Sequence, residues 1–85
     1  MYIDVEVLVL KPNEKKSLPE RKAYSVLIQN RSDGSIIIGS RDKVGIYLYP
    51  RSSVSIDFKE ESDISQIMLY NPNNFSVEIA VMMLR

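Results

Sequence analysis

The sequence predicts an all-β fold: a single small antiparallel β-sandwich, jelly-roll-like, with about seven strands. Short runs rich in β-branched residues recur along the chain, and most of them alternate apolar and polar residues with a period of two. Asn, Asp, Gly, Ser and Pro separate these runs at intervals of roughly 8–12 residues, which is typical of a sandwich or barrel. No segment has helical periodicity, and no internal repeat is evident.

Length and composition indicate one domain, residues 1–85, with a small stability margin. The chain has no cysteine and no histidine, so it can form neither a disulfide nor a thiolate or imidazole site for zinc. It is 45% hydrophobic, which is enough for a packed core. Small domains without disulfides or metals often gain the missing burial from a partner, so we expect a homo-oligomer.

Charge and hydropathy argue against several classes of partner. Eleven basic and eleven acidic residues give a net charge of zero, without the positive surplus that is typical of nucleic-acid-binding proteins. No apolar stretch reaches the length of a membrane span, and the acidic N-terminal segment lacks the features of a signal peptide. We therefore expect no nucleic acid, no membrane and no cofactor, and a chain that is cytoplasmic when synthesised.

The first predicted strand, residues 2–10, has two different faces. One face carries Ile3, Val5, Val7 and Val9, and the other carries Tyr2, Asp4, Glu6 and Leu8. Because β-branched residues at every second position favour a half-buried strand, we expect the apolar face in the core and the acids in water. Residues 11–22 contain two prolines and seven charges, which predict a solvated surface loop.

Three further strands are predicted in the middle of the chain, over residues 23–30, 35–39 and 44–49. Asp33-Gly34 lies between the first two and is suited to positive φ at the tip of a hairpin. The three consecutive isoleucines of residues 35–39 predict burial on both faces of that strand. Gly45, in the third strand, indicates a bulge or a close approach of two backbones.

The last third of the chain closes the predicted sandwich. Residues 53–58 form the most regular amphipathic strand, and residues 59–65 form an acidic connection that holds one turn of helix. Residues 67–70 are a short strand, and the Asn-Pro-Asn-Asn sequence of residues 71–74 is a strong turn. The final strand, residues 75–84, becomes apolar on both faces, which predicts that something covers it.

No residue pattern indicates an enzyme. Without histidine or cysteine, nucleophilic sites of the Ser-His-Asp or Cys-His kind cannot form. The acidic pairs, Asp4 with Glu6 and the group at residues 60–63, fall on predicted solvated surfaces rather than in a cleft. The acidic segment 57–63 could supply oxygen ligands to calcium, although its spacing is not that of an EF-hand, and the sequence leaves this question open.

Several apolar residues fall on faces that the core of a single chain does not account for. They are Ile37, Tyr47, Tyr49, Met82 and Leu84. We expect them at a subunit interface, where aromatic residues and methionine are enriched.

The basic segment 11–22 and the acidic segment 57–63 carry opposite excess charge. We expect these segments to meet across the same interface, where complementary charge fixes the register of assembly. The interface charges are Lys15, Lys16, Glu60 and Glu61.

The central part of the chain also contains a characteristic series of strand ends and turns. It reads Val26-Leu27-Ile28-Gln29-Asn30, Ile37-Ile38-Gly39-Ser40, Gly45-Ile46-Tyr47-Leu48-Tyr49-Pro50, Ser53-Val54-Ser55-Ile56, Ile67-Met68-Leu69-Tyr70 and Val77-Glu78-Ile79. This series resembles small β-sandwich proteins associated with tailed-phage virions, such as capsid-decorating and fibre-type modules. Arg51 stands where that pattern has glycine, so the turn after Pro50 must differ or be strained.

The resemblance implies a non-enzymatic virion component that forms a homo-oligomer, with a trimer favoured, and contacts a capsid or other virion protein. The predicted function is therefore a structural or interaction module of a virion. The alternative is a carbohydrate-binding module that stacks exposed tyrosines on sugar rings.

Overall fold

The computed structural model describes residues 2–40 and 45–85, which form eight strands in two four-stranded antiparallel sheets. The strands are β1 (Ile3–Leu10), β2 (Lys15–Ser17), β3 (Lys22–Asn30), β4 (Ile36–Gly39), β5 (Ile46–Leu48), β6 (Ser53–Asp63), β7 (Met68–Tyr70) and β8 (Val77–Leu84). The first sheet has the order β1-β8-β3-β6 and the second has the order β2-β7-β4-β5. This is the strand order of a jelly roll, and it confirms the predicted fold class.

The core lies between the two sheets and consists of aliphatic side chains. Burial of apolar surface is the main force that holds the sheets together. The buried residues are Leu10, Leu18, Ala23, Val26, Ile28, Ile36, Ile38, Leu48, Ile64, Ile67, Leu69, Val77, Ile79, Val81 and Met83. Ile36 and Ile38 of β4 point into this core, whereas Ile37 between them lies half-buried on the outer side of its sheet.

Residues 11–22 do not form the solvated loop that their charges predicted. They contain β2, which pairs with β7, and Leu18, which is buried. The Leu18 amide donates a hydrogen bond of 3.0 Å to the carbonyl of Ile67 and so continues the contact past the end of β2. Because strand pairing uses backbone groups, a Lys-Lys-Ser strand at a sheet edge leaves no apolar pattern in the sequence.

β6 extends farther than predicted and contains a bulge. Ala23 of β3 pairs with Ser62 of β6, and Ser25 pairs with Asp57. Between these pairs, the single residue Tyr24 lies opposite the four residues 58–61. The predicted acidic connection is therefore mostly strand, and the predicted helical turn is the short 3-10 helix Ile64–Gln66 that follows it. The carboxylate of Asp63 begins this turn by accepting a hydrogen bond of 2.9 Å from the Ser65 amide.

The two faces of β1 are oriented in the opposite way to the prediction. The four residues expected in the core are 51–63% exposed, and Leu10 on the other face is completely buried. These exposed residues are Ile3, Val5, Val7 and Val9. The side of the strand that carries Leu8 and Leu10 is needed to fill the core, so Asp4 and Glu6 on that same side must also face inward.

Arg21 makes this orientation possible because it neutralises both acids. Its Nη2 donates a hydrogen bond of 2.7 Å to Glu6 Oε1, and its Nε lies 3.8 Å from Asp4 Oδ2. The hydrogen bond and charge of Glu6 raise the pKa of Arg21 above its ordinary value. Arg85 adds a second ion pair to Asp4 at 3.5 Å and places its guanidinium 5.3 Å from the centre of the Tyr2 ring.

Two buried asparagines form equivalent corners where the chain crosses between the sheets. The Asn30 side chain donates to the carbonyls of Gly34, Leu48 and Tyr49 and accepts from the Ser32 amide, at 2.9–3.4 Å. The Asn71 side chain makes the same contacts: it donates to the carbonyls of Phe75, Leu10 and Lys11 and accepts from the Asn73 amide, at 2.7–3.1 Å. Both asparagines are fully buried.

A second pair of equivalent features lies at the turns that follow β1 and β5. Each turn has proline at its second position and a left-handed residue at its third, Asn13 with φ of 60° and Arg51 with φ of 61°. In both turns the amide of the fourth residue donates a hydrogen bond to the carbonyl of the first: Glu14 to Lys11 at 3.0 Å and Ser52 to Tyr49 at 3.3 Å. This is the pattern of a type II turn, which favours glycine or asparagine at the left-handed position.

The chain therefore contains an internal structural repeat that its sequence does not reveal. The strands correspond in pairs four places apart in the chain: β1 with β5, β2 with β6, β3 with β7 and β4 with β8. Replacing each strand of the first sheet by its counterpart gives the strand order of the second sheet. The interval from the end of β1 to the first corner, Leu10 to Asn30, is 20 residues. The equivalent interval from the end of β5 to the second corner, Leu48 to Asn71, is 23 residues. The difference of three matches the surplus of residues in the β6 bulge.

Two glycines lie where a Cβ would come close to neighbouring atoms, and neither has a positive φ. A Cβ at Gly45 would lie 1.3 Å from the carbonyl oxygen of Ile38, which confirms the predicted close approach of two backbones. The predicted start of this strand at Val44 lies outside the described residues. A Cβ at Gly34 would lie 2.6 Å from Phe75, so Gly34 allows the two asparagine corners to touch; its φ is not positive, contrary to the prediction.

The asparagine corners predict a specific sensitivity to loss of the amide group. Asn30→Asp or Asn71→Asp keeps the side-chain shape but replaces a donor by a charged oxygen facing three carbonyls. We expect each variant to lower the free energy of unfolding by about 2–4 kcal/mol, measured by urea denaturation. Asn74→Asp is the control, because Asn74 is exposed in the same turn and its side chain makes no hydrogen bond among the described residues. An equal loss in all three variants would contradict this role.

The turn at Arg51 predicts a stabilising substitution. Arg51→Gly should raise the free energy of unfolding by about 0.5–1 kcal/mol, because glycine adopts the left-handed conformation without a steric cost. The ion pair it removes, to Asp33 at 3.0 Å, is solvent-exposed and contributes little. Arg51→Ala removes the same ion pair but keeps the strained conformation, so it should give no gain. Thermal unfolding distinguishes the two, and equal melting temperatures would show that the turn is unstrained.

Candidate interaction surface

The outer side of the first sheet, called the outer face below, is a continuous apolar surface. Cross-strand pairing aligns every second residue of β1, β8, β3 and β6 in rows. The rows are Ile3, Leu84, Ser25 and Asp57; Val5, Met82, Leu27 and Ser55; Val7, Ala80, Gln29 and Ser53; and Val9 with Glu78. The apolar side chains of β1, β8 and β3 therefore form one patch rather than scattered exposed residues.

Polar residues border this patch on two sides. Ser53, Ser55 and Asp57 line it along β6, and an ion pair of 3.4 Å between Arg31 and Glu78 lies at one end. An apolar centre with a polar rim is the arrangement found in protein–protein interfaces.

The outer face has a protrusion with a hollow on each side. Met82 is 40% exposed and stands between Val5 and Leu27. One hollow, of about 270 Å³, lies over the short side chain of Ala80, and its other lining residues include Val5, Leu27, Gln29, Arg31 and Met82. The other hollow, of about 140 Å³, lies between Met82 and the row of Ile3 and Leu84.

The structure separates the five predicted interface residues. Met82 and Leu84 lie on the outer face, beside the exposed residues of β1. Ile37 and Tyr47 are paired neighbours on the second sheet, and Ile37 lines a shallow groove there with Tyr70 and Lys15. Tyr49 is exposed at the start of the second type II turn. Only Met82 and Leu84 of the five thus lie on the outer face, and the role of all five in assembly stays a prediction.

The predicted interface charges also lie apart within one chain. Lys15 and Lys16 are in β2, at one edge of the second sheet, whereas Glu60 and Glu61 are in the bulge of β6, at one edge of the first sheet. Within residues 2–40 and 45–85 no ion pair joins them. Contact between these segments of two copies is therefore still a prediction.

Sequence reasoning missed Ile3, Val5 and Val7 as surface residues. Alternation shows that they share a face, but it does not show which face meets the core. The sequence did carry one indication of the correct face: Leu8 and Leu10, at the end of the strand, make the opposite face apolar there.

Among residues 2–40 and 45–85, the inner faces of the sheets offer no comparable site. They are filled by aliphatic side chains, and the buried asparagines use their polar atoms to hold the corners. In the described part of the chain, no group of three or more Asp or Glu residues is placed to hold a metal ion. A helix long and apolar enough to cross a membrane is likewise not found in that part.

Comparison of the structure with solved structures shows what the fold is similar to. A Cupin_2 domain of an XRE family transcriptional regulator from Enterobacter cloacae matches with a TM-score of 0.72 and 14% identity over 98% of this chain and 81% of that chain. A sugar phosphate isomerase of the cupin superfamily from Silicibacter pomeroyi matches with a TM-score of 0.67 and 14% identity over 98% of this chain. This chain spans only 50% of the isomerase.

A third similar structure is a de novo designed double-stranded β-helix, with a TM-score of 0.66 and 18% identity over 92% of this chain and 95% of the designed one. No protein-family model matches the sequence, and no curated protein matches it. Identities this low establish a shared fold and nothing about activity.

The similar structures overturn the predicted virion function and the resemblance behind it. The regulator domain and the isomerase are cupin proteins and not phage virion proteins, and they do not support the carbohydrate-binding alternative either. The strand ends and turns that carried the resemblance are features of a jelly roll, which unrelated proteins share, so they indicated the fold and not the function. The chain has the double-stranded β-helix fold of cupin domains.

Proposed function

We propose that the protein is a non-enzymatic cupin-fold domain that works as a homo-oligomer, assembled by burying the outer face against a second copy. The observation that carries this proposal is the exposure of Ile3, Val5, Val7 and Val9 beside Met82 on one continuous surface. A surface of this kind in water is costly unless a partner covers it.

The size of the outer face suits a partner of similar dimensions. Strand spacing and rise give a four-stranded face with about eight residues per strand an extent of about 19 by 26 Å, or roughly 500 Å² in projection. The accessible area of protruding side chains exceeds the projected area, so the face approaches the ~800 Å² per partner of a stable interface. Another copy offers an apolar surface of matching size and needs no other gene product.

The interior supports a binding role over a catalytic one. A catalytic cupin domain needs polar groups that converge on a cavity, whereas aliphatic residues fill the space between these two sheets. The isomerase shows that enzymes use this fold, and the regulator domain from Enterobacter cloacae is a precedent in a protein that is not named as an enzyme. The exposed outer face supports a binding role for this chain.

The proposal predicts that one lysine on the outer face disrupts assembly. Ile3→Lys should weaken self-association by roughly 10–100-fold, because an ammonium group would be buried against apolar side chains. Ile46→Lys is a matched control, since Ile3 and Ile46 are both 63% exposed and Ile46 lies on the second sheet. Sedimentation equilibrium of both variants and the wild type gives the dissociation constants.

Two outcomes would overturn the proposal. One is a wild-type chain that remains monomeric at about 100 μM, where even a weak dimer is populated. The other is an equal effect of the two lysines, which would show that assembly does not depend on the outer face. Circular dichroism of each variant confirms that the fold is intact.

A further inference from the structure

We infer that the outer face is self-complementary about a two-fold axis, so that Met82 of each copy enters the hollow over the partner's Ala80. This inference rests on the proposed function and specifies its geometry. It yields a closed dimer, in place of the trimer that the sequence resemblance favoured.

The shape of β8 is the first argument. Its outer residues alternate in size, with the small Ala80 followed two positions later by the protruding Met82. The 270 Å³ hollow over Ala80 is large enough for a thioether side chain, and methionine adapts its shape to irregular gaps. A protrusion beside a hollow on the same strand is what an isologous contact requires, since each copy must supply both parts.

The symmetry operation follows from the positions of these two residues. The two-fold axis lies in the plane of the interface and crosses β8 between the rows of Ala80 and Met82. It places the Met82 row of each copy over the Ala80 row of the partner. Met82 then lies over the partner's Ala80, and Val5 lies over the partner's Val7. The two β8 strands run antiparallel across the interface, at the spacing of about 10 Å usual for packed sheets.

The rest of the outer face fits this arrangement. The same operation places Ile3 over the partner's Val9, so the apolar strand β1 covers its own counterpart along its length. The polar residues of β6 fall at the margin, where they remain in contact with water. The same operation places Glu78 over the partner's Leu84, and Arg31 lines the hollow over Ala80, so these two charges lie inside the contact as an ion pair of 3.4 Å.

Exchanging the protrusion and the hollow tests the geometry. Met82→Ala removes the protrusion, and Ala80→Met fills the hollow, so each single variant should raise the dissociation constant of the dimer about tenfold. The double variant Ala80→Met/Met82→Ala carries both parts in exchanged positions, and the two-fold axis again brings them together. We expect its dissociation constant to return to within about threefold of the wild type, because the two sites are coupled.

Additive weakening in the double variant would overturn the two-fold geometry. If Ile3→Lys still dissociates the oligomer in that case, the proposed function stands and only the geometry is wrong. If neither the exchange variants nor Ile3→Lys changes the association, the outer face is not the interface and both proposals fail.

Engineered cysteines give a second readout that does not depend on affinity. The natural chain has no cysteine, so each introduced thiol is the only one present. When Ala80→Cys and Met82→Cys proteins are mixed and oxidised, the disulfide between the two variants should form faster than either disulfide between identical variants. Faster formation between identical variants would place the axis elsewhere and overturn the inference.

Discussion

Two buried amide groups hold the crossings between the sheets, and the rest of the sandwich depends on them. Each asparagine side chain donates hydrogen bonds to carbonyls at the end of a strand in the other sheet and to a carbonyl at the far side of its own loop. Without these bonds the carbonyls would lie unpaired in the interior. Asn30 ties β3 to the end of β5, and Asn71 ties β7 to the end of β1. Each amide therefore connects one sheet to the other and helps to set how the apolar inner faces meet.

The two halves of the chain solve the same structural problem with different residues. The first half has Asn13 at its left-handed turn position, and the second has Arg51 in the same conformation, so only the first matches the preference of the turn. β2 has three residues and its counterpart β6 has eleven. Comparing the sequences of the two halves does not reveal the repeat, because the halves share only a few residues at corners and turns. The aliphatic positions between them tolerate many substitutions.

Prediction from the sequence succeeded where periodicity and turn chemistry act locally. The fold class and the close approach at Gly45 follow from such local signals. It failed where a distant residue decides: Arg21 is what allows Asp4 and Glu6 to face inward, and nothing in residues 2–10 encodes that partner. The outer face was missed for the same reason, since the valines were assigned to a core that Leu8 and Leu10 fill instead.

The irregularity of β6 limits how copies of this chain could join side by side. Lateral growth of a sheet needs an edge whose backbone groups are evenly spaced, and such edges are the starting points of fibrils. β1 has such an edge, with uninterrupted register from Ile3 to Leu10. The opposite edge, β6, is interrupted by a bulge that carries Lys59, Glu60 and Glu61, and this interruption disfavours pairing with another strand. Two copies of this sheet joined at β1 would therefore end in two bulged edges, which disfavour further growth of the sheet.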